Sequence, residues 1–487
     1  MKLNSSRVAA PIRRHRLTLI SFVTGFSLLT YELAAARVLA PSIGSSTYVW
    51  TGVIGVIIAA LSLGFFVGGR VADARNKITD LAWLLLLASL MAVLTLIAYE
   101  GMLQSIVESI QDSRLQAVVA ALTLFAPTSF FIGMTSPYLA KLNVQSLTST
   151  GRSIASLDMF NAIGGITGTF VTGFILFGYI GAHEAIGLVA VLLLLISWLV
   201  APRWYMAQRL AVSAVLLLCA LTPASALPGV VKIDTASAHY EVIKGFIDTR
   251  QVTGLVTGPS GTQSAVYASG VDEPVFWYNR EVSRLALERR PDSVLILGGG
   301  AFTLPQYLSE QLPDSSIDVV EIDPELKEIS ERHFRYTSPS NVSETFTDAR
   351  AYVNQTDKRY DLIVVDVYGD ASIPFTFMTA EYGKAVASIL QPGGIVVANV
   401  IGGLSGGCRE ALASVDAAYR SQLPYAYYSI EQGRDERRTN FVMVYSKTAE
   451  SFEGLGRLEL PARQAFSDNF APAERLHYQC QQVRSQV

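Results

Sequence analysis

The first 226 residues contain seven apolar stretches of roughly membrane-crossing length, near 17–36, 48–69, 79–99, 117–140, 159–180, 183–201 and 210–226. About twenty apolar residues in a helix cross roughly 30 Å of hydrocarbon, and in lipid only helices or closed barrels satisfy their own backbone. This half is therefore expected to form a multi-span α-helical membrane domain (1–226) of about seven helices, with membrane lipid as a partner. The whole chain fits that reading, because 50% of its 487 residues are hydrophobic and only 16% are charged. A net charge of -3, with no basic run beside stacking aromatics, gives no support for a nucleic-acid partner.

Basic residues alternate by loop. Lys2, Arg7, Arg13, Arg14 and Arg16 precede the first stretch, Arg70, Arg75 and Lys77 follow the second, Lys141 and Arg152 the fourth, and Arg203 and Arg209 the sixth. The loop from Glu100 to Arg114 is acidic instead. By the positive-inside rule the N-terminus of a multi-pass protein of the cell membrane lies in the cytoplasm, and seven true spans would export everything after Ala226. Arg209, a short apolar core and Ala224-Ser225-Ala226 resemble an export segment, which leans the C-terminal half toward the extracytoplasmic side. One stretch that re-enters rather than spans would reverse this, and the stretch holding Pro127 and Pro137 is the candidate.

Within the first stretch Glu32 is a functional candidate, since a carboxylate in lipid is costly; the alternative is a structural pair with Arg37. Gly164, Gly165, Gly168 and Gly173 read as close helix packing. Cys219 lies in an apolar run, while Cys408 and Cys480 stand apart without CxxC or Cys/His spacing, so neither a disulfide framework nor a zinc site is expected. None of the five histidines has ligand spacing, so no metal is assigned.

From about Leu227 the composition becomes mixed. Alternating runs at His239–Ile247, Thr253–Thr257 and Ser264–Ala268, separated by glycine-rich turns, predict a β-hairpin subdomain over 227–280. A helix follows at Glu281–Arg289. Strands at 294–297, 317–321, 361–366 and 394–400 then alternate with helices at about 303–312, 324–334 and 379–390, as in a parallel α/β sheet over 281–450 with a tail over 451–487. In such a sheet ligands lie at the carboxyl ends of the strands. Gly298, Gly299 and Gly300 follow the first strand, Glu321 closes the second, Asp348-Ala349 follows Thr347, and Asp366 closes Leu362–Val365. A glycine turn with an acid at the end of the next strand is the sequence form of a nucleoside site.

These residues resemble the polyamine aminopropyltransferase family, the spermidine and spermine synthases, of the membrane-fused bacterial type. The family's GGGDG turn is similar to Gly298–Phe302, its VEID to Glu321-Ile322-Asp323, and its D[AG] to Asp348-Ala349. Its YD-V-I-DSSDP stretch and later LKPGGI are similar to Tyr360–Asp366 and Leu390–Ile395. The resemblance implies a methyltransferase-like, Rossmann-type fold. It also implies transfer of an aminopropyl group from decarboxylated S-adenosylmethionine to a polyamine, with no permanently bound cofactor. On that reading Asp366 is the base and Glu321 holds the ribose. Asp348 and Ala349 sit at the adenine, and Asp370, Tyr368, Tyr240 and Tyr278 lie on the amine side. Tyr368 and Tyr382 also read as packing residues. The chain departs from the family where the GGGDG acid is Ala301 and where DSSDP becomes Asp366–Ala371. An S-adenosylmethionine-dependent methyltransferase, or a nucleoside-binding transporter or sensor without catalysis, stay open as alternatives, as does a homodimer.

Overall fold

The computed structural model describes residues 6–75, 77–144, 150–200, 210, 213–214, 229–247, 249–258, 261–270, 273–368, 374–431, 439–457, 459–460 and 463–482. The chain divides into two compact units, 1–227 with 234–236, and 228–233 with 237–487.

The first unit is built of the helices α1 (Ser6–Ile43), α2 (Thr47–Arg75), α3 (Ile78–Ser109), α4 (Ser113–Ala120), α5 (Ala126–Asn143), α6 (Thr150–Phe174) and α7 (Ala182–Val200). Six helical segments among the described residues are long and apolar enough to cross a membrane, the fourth being Ser113–Asn143 taken as one. They coincide with the first six apolar stretches. The seventh, 210–226, lies outside the described residues apart from Leu210, Ser213 and Ala214.

The proline-bearing stretch is one continuous helical segment, Ser113–Asn143, in which α4 and α5 are joined through a π-helical turn at Ala121–Phe125. Pro127 follows directly on that turn, at the second residue of α5. The turn's irregular carbonyl is served from neighbouring helices, since the Leu124 oxygen accepts from Thr95 Oγ1 at 2.6 Å. A π-bulge thus absorbs the break that the prolines suggest.

α1 packs along α6, and a Cβ at Gly164 or Gly168 would overlap the backbone of Phe22 or Phe26. Gly173 has open space and serves no such contact. Glu32 is half-buried and makes no ion pair among the described residues, so the pairing with Arg37 is not formed. The Arg37 guanidinium lies 4.5 Å above the Phe177 ring instead.

The second unit opens with a four-stranded sheet in the order β1 (Val230–Asp234), β2 (His239–Ile247), β3 (Arg250–Val256), β4 (Thr262–Tyr267), antiparallel from β2 onward. After α8 (Trp277–Arg289) come β5 (Ser293–Leu297), α9 (Thr303–Gln311), β6 (Ser316–Glu321), α10 (Glu325–His333), β7 (Val342–Phe346), α11 (Ala349–Gln355) and β8 (Tyr360–Val365). Then follow α12 (Ala380–Ser388), β9 (Leu390–Gly402), α13 (Gly406–Arg420), β10 (Tyr425–Ile430), β11 (Thr439–Ser446), β12 (Gly456–Arg457) and α14 (Ala473–Gln482). The large sheet runs β12-β10-β11-β9-β8-β5-β6-β7.

β7, β6, β5, β8 and β9 are parallel, whereas β11 joins β9, and β10 joins β11, antiparallel. The four strands expected from the sequence are parallel as expected, and the antiparallel pair β10 and β11 is an addition to them. Residues 425–446 return as a hairpin, which a parallel crossover would not permit in so short a stretch. The result is the mixed sheet of the methyltransferase-type α/β fold. Continuous apolar strands such as Val294–Leu297 and Leu362–Val365 are buried on both faces, as covered parallel strands require.

The cysteine expectation is also corrected. Cys408 of α13 and Cys480 of α14 are disulfide-bonded across 72 residues of chain. No local spacing announces the pair, because only the packing of α14 on α13 brings the two together. The disulfide thereby fastens α14 to α13.

Candidate active site

The ends of β5, β6, β7 and β8 meet at one edge because their register is tight. Gly298 N–H donates to Val320 O, Asp366 N–H to Leu297 O and Thr347 N–H to Glu321 O, each at 2.9 Å. Gly298 turns the chain with φ +95°, and a Cβ there would overlap the Asp366 carbonyl. Gly298→Ala is accordingly expected to cost about 3 kcal/mol or more of stability, from steric overlap plus a left-handed backbone; urea unfolding checks it.

Glu321 organises the turn. Its Oε2 accepts the N–H groups of Gly299 (2.8 Å) and Gly300 (3.1 Å), and its Oε1 those of Ile322 (2.8 Å) and Asp323 (3.1 Å). The carboxylate is buried, which raises its pKa, while the four amides pull it back down. Four N–H groups fill the four acceptor positions of a carboxylate. Asp348 stands exposed two residues beyond the Phe346 partner of Glu321 and caps α11, its Oδ1 accepting Ala351 N–H at 2.8 Å; Ala349 is buried beside it.

Asp366 is partly buried and pushed up to about 6, first by desolvation and against hydrogen bonds from Asn399 and Tyr278. The Asn399 amide donates to Asp366 Oδ1 at 2.8 Å, and Asn399 Oδ1 accepts from Asn440 Nδ2 at 2.9 Å. A relay from β11 through β9 thus orients the acid. The Tyr278 phenol, at the start of α8, is raised well above its ordinary range by burial and by the Asp366 charge. Its neighbour Asn279 is buried, with a side-chain oxygen that has no hydrogen-bond partner among the described residues.

The other tyrosines are committed elsewhere. Tyr368 donates its hydroxyl to Asn399 O at 3.0 Å and accepts Ile401 N–H at 2.6 Å, so its polar end is tied to the β9 backbone. Tyr240 donates to the buried carboxylate of Asp323 at 3.0 Å, and Asp323 in turn accepts Glu325 N–H at the start of α10. This joins the hairpin sheet to the strand-end edge. Tyr382 is fully buried among Phe377 and Tyr419. Asp370 lies outside the described residues, and Glu32 belongs to the first unit.

Ala301, where the family motif carries an acid, is fully buried, and its N–H donates to Ser264 Oγ of β4 at 3.2 Å. Asn399, Asn440, Asn279 and Ser264 were missed by sequence reasoning. Only Asn399 carries a signal, as a lone polar side chain within the apolar run Ile395–Ile401.

Residues 276–403 match the family model described as spermine/spermidine synthase domain. A polyamine aminopropyltransferase of Vibrio vulnificus (strain CMCP6) is 32% identical over 143 residues, 28% of this chain and 48% of that protein. A probable polyamine aminopropyl transferase of Bifidobacterium longum (strain NCC 2705) is 33% identical over 144 residues, 29% of this chain and 32% of that protein. The human eEF1A lysine and N-terminal methyltransferase is 27% identical over 167 residues, 30% of this chain and 23% of that protein. Among solved structures, a probable spermidine synthase from Corynebacterium glutamicum aligns at 23% identity and TM-score 0.41, covering 46% of this chain and 82% of that one. The chain thus spans about half or less of the relatives it matches in sequence. The match to the spermine/spermidine synthase domain lies wholly within the second unit.

Proposed function

We propose that this chain is a membrane-anchored aminopropyltransferase-like enzyme that moves an aminopropyl group from decarboxylated S-adenosylmethionine to a polyamine. The observation that carries this reading is Asp366, pushed up to about 6 at the strand-end edge beside a glycine turn clamped by Glu321. The nucleoside lies over Gly298–Gly300. Its ribose hydroxyls donate to Glu321 Oε2 in exchange for the amides of Gly299 and Gly300, and Asp348-Ala349 border the adenine. The acceptor amine arrives as an ammonium without a lone pair. Asp366 takes its proton, the new C–N bond forms at the carbon next to the sulfonium, and the C–S bond breaks with its electron pair retained by neutral methylthioadenosine. A carboxylate ionising near 6 is charged at neutral pH yet basic enough to accept that proton.

A second reading, an amine methyltransferase using intact S-adenosylmethionine, is favoured by one observation. Ala301 withholds the acid expected at the amine, and relatives at 27% identity include a lysine and N-terminal methyltransferase. Purified full-length protein incubated with each sulfonium donor and a panel of amines separates the two by product mass. An aminopropylated amine with methylthioadenosine supports the proposal; a methylated amine with S-adenosylhomocysteine supports the rival.

We place the second unit on the extracytoplasmic side. Loop charges put residues 201–209 on the cytoplasmic side, the apolar stretch 210–226 that follows resembles an export segment and would carry the chain across, and the Cys408–Cys480 disulfide suits an oxidising compartment. A C-terminal alkaline phosphatase fusion is expected to be active. A silent phosphatase together with a fluorescent C-terminal green fluorescent protein fusion would overturn the placement.

A further inference from the structure

Away from the strand-end edge, the second unit holds a cavity of about 520 Å³ between the hairpin sheet and the far end of α10. α10 starts just after the Glu321 clamp and runs back for nine residues, Glu325–His333. At about 1.5 Å per residue its last turn is about 13 Å from that clamp. The cavity is therefore separate from the nucleoside site.

Its lining is one-signed. Lys244 of β2 faces Arg332, His333 and Arg335, and no Asp or Glu lines it among the described residues. Basic residues at a helix C-terminus complement the helix dipole, which accounts for Arg332 and His333 by itself. It does not account for Lys244 or Arg335, which come from a strand and from beyond the helix. Arg332 is paired with Glu328 one turn back. Lys244 makes no ion pair among the described residues, and Arg335 is anchored by donating Nη2 to Ala268 O at 2.6 Å. The crowding is felt by His333, whose pKa is lowered by burial and then by Arg332 and Lys244. Lys244, Arg332 and Arg335 are exposed, so solvent screens their repulsion and leaves their head groups accessible to an anion.

The remaining walls are apolar and polar-neutral, including Val231, Val242 and Val266 beside Gln251 and Thr253. An anion with an apolar substituent fits such walls, and the volume is in the range of small-ligand sites, about 300–1,000 Å³. We propose that this cavity binds an anionic phosphoryl group, held by Lys244, Arg332 and Arg335, with the substituent of a phosphoester on the valine floor. The group has two sources: a lipid headgroup, which the nearness of β1 in sequence to the apolar stretch 210–226 makes available, or a free phosphate.

Calorimetry on the full-length chain in neutral detergent at low salt distinguishes them, with inorganic phosphate and dihexanoyl phosphatidylglycerol titrated separately. The double variant Lys244→Gln, Arg335→Gln is expected to weaken binding about tenfold or more, since charge-assisted bonds are lost. An unchanged unfolding midpoint shows that the variant is folded. Saturable binding of the lipid alone, lost in the variant, assigns a headgroup site; binding of phosphate as well, lost likewise, assigns a free phosphoryl site. If neither probe binds at millimolar concentration, or if the folded variant binds as tightly as the parent, the proposal is wrong.

Discussion

Asp366→Asn is expected to lower the rate of aminopropyl transfer roughly a hundredfold or more while leaving affinity for methylthioadenosine within about twofold. The carboxamide fills the same space and still accepts from the Asn399 amide, so the site keeps its shape and loses only its proton acceptor. The same change is expected to stabilise the protein at neutral pH. Burial raises this carboxyl from 3.8 to about 6, so the folded protein holds a proton more tightly than the unfolded chain between those values. Its contribution to stability is fully present below about pH 4 and is lost as pH rises through 6. Removing the charge should recover of order 1 kcal/mol above pH 6, after allowance for the exposed part of the group. Equal rates for the two proteins with the same amine would move the role of base to another group, with Asp370 the first to test.

Glu321→Ala is expected to weaken methylthioadenosine binding by roughly 2 to 4 kcal/mol, about thirtyfold to a thousandfold in Kd. Two losses combine. The ribose loses a charged acceptor, and the amides of Gly299, Gly300, Ile322 and Asp323 lose the carboxylate that fixes the turn. Glu321→Gln separates the two, because its remaining oxygen serves one pair of amides while its NH2 group faces the other as donor against donor. An intermediate loss is expected for Gln, and unchanged affinity by calorimetry in the Ala variant would remove the site assignment.

The strand-end acids were legible in the sequence because each lies next to the apolar run that delivers it. Val294–Leu297 leads to the glycines, Val319-Val320 to Glu321 and Leu362–Val365 to Asp366. The phenols were legible as residues of the site's surroundings, but their hydroxyl partners were not. Whether Tyr368 faces an amine or the β9 backbone depends on the turn after β8. The Asn440–Asn399–Asp366 relay needs the antiparallel seating of β11 against β9, 41 positions apart at the two asparagines, and no local pattern encodes it. The disulfide was hidden for the same reason. The π-turn before Pro127 shows the converse: a proline suggests a break in a helix, while the structure carries the helix past it by one wider turn.

Asp366, oriented by Asn399, is the group proposed to receive the proton of the attacking amine. The pH dependence of kcat/KM for aminopropyl transfer tests it most directly, followed from pH 4.5 to 10.5 in the parent protein and in Asn399→Leu. The account predicts an acidic limb with an apparent pKa of about 6 and an alkaline limb set by the amine itself. Loss of the Asn399 hydrogen bond should move the acidic limb upward, because that bond favours the ionised carboxylate. A parent profile that is flat between pH 4.5 and 8, or an acidic limb unmoved in a folded Asn399→Leu variant, would contradict it.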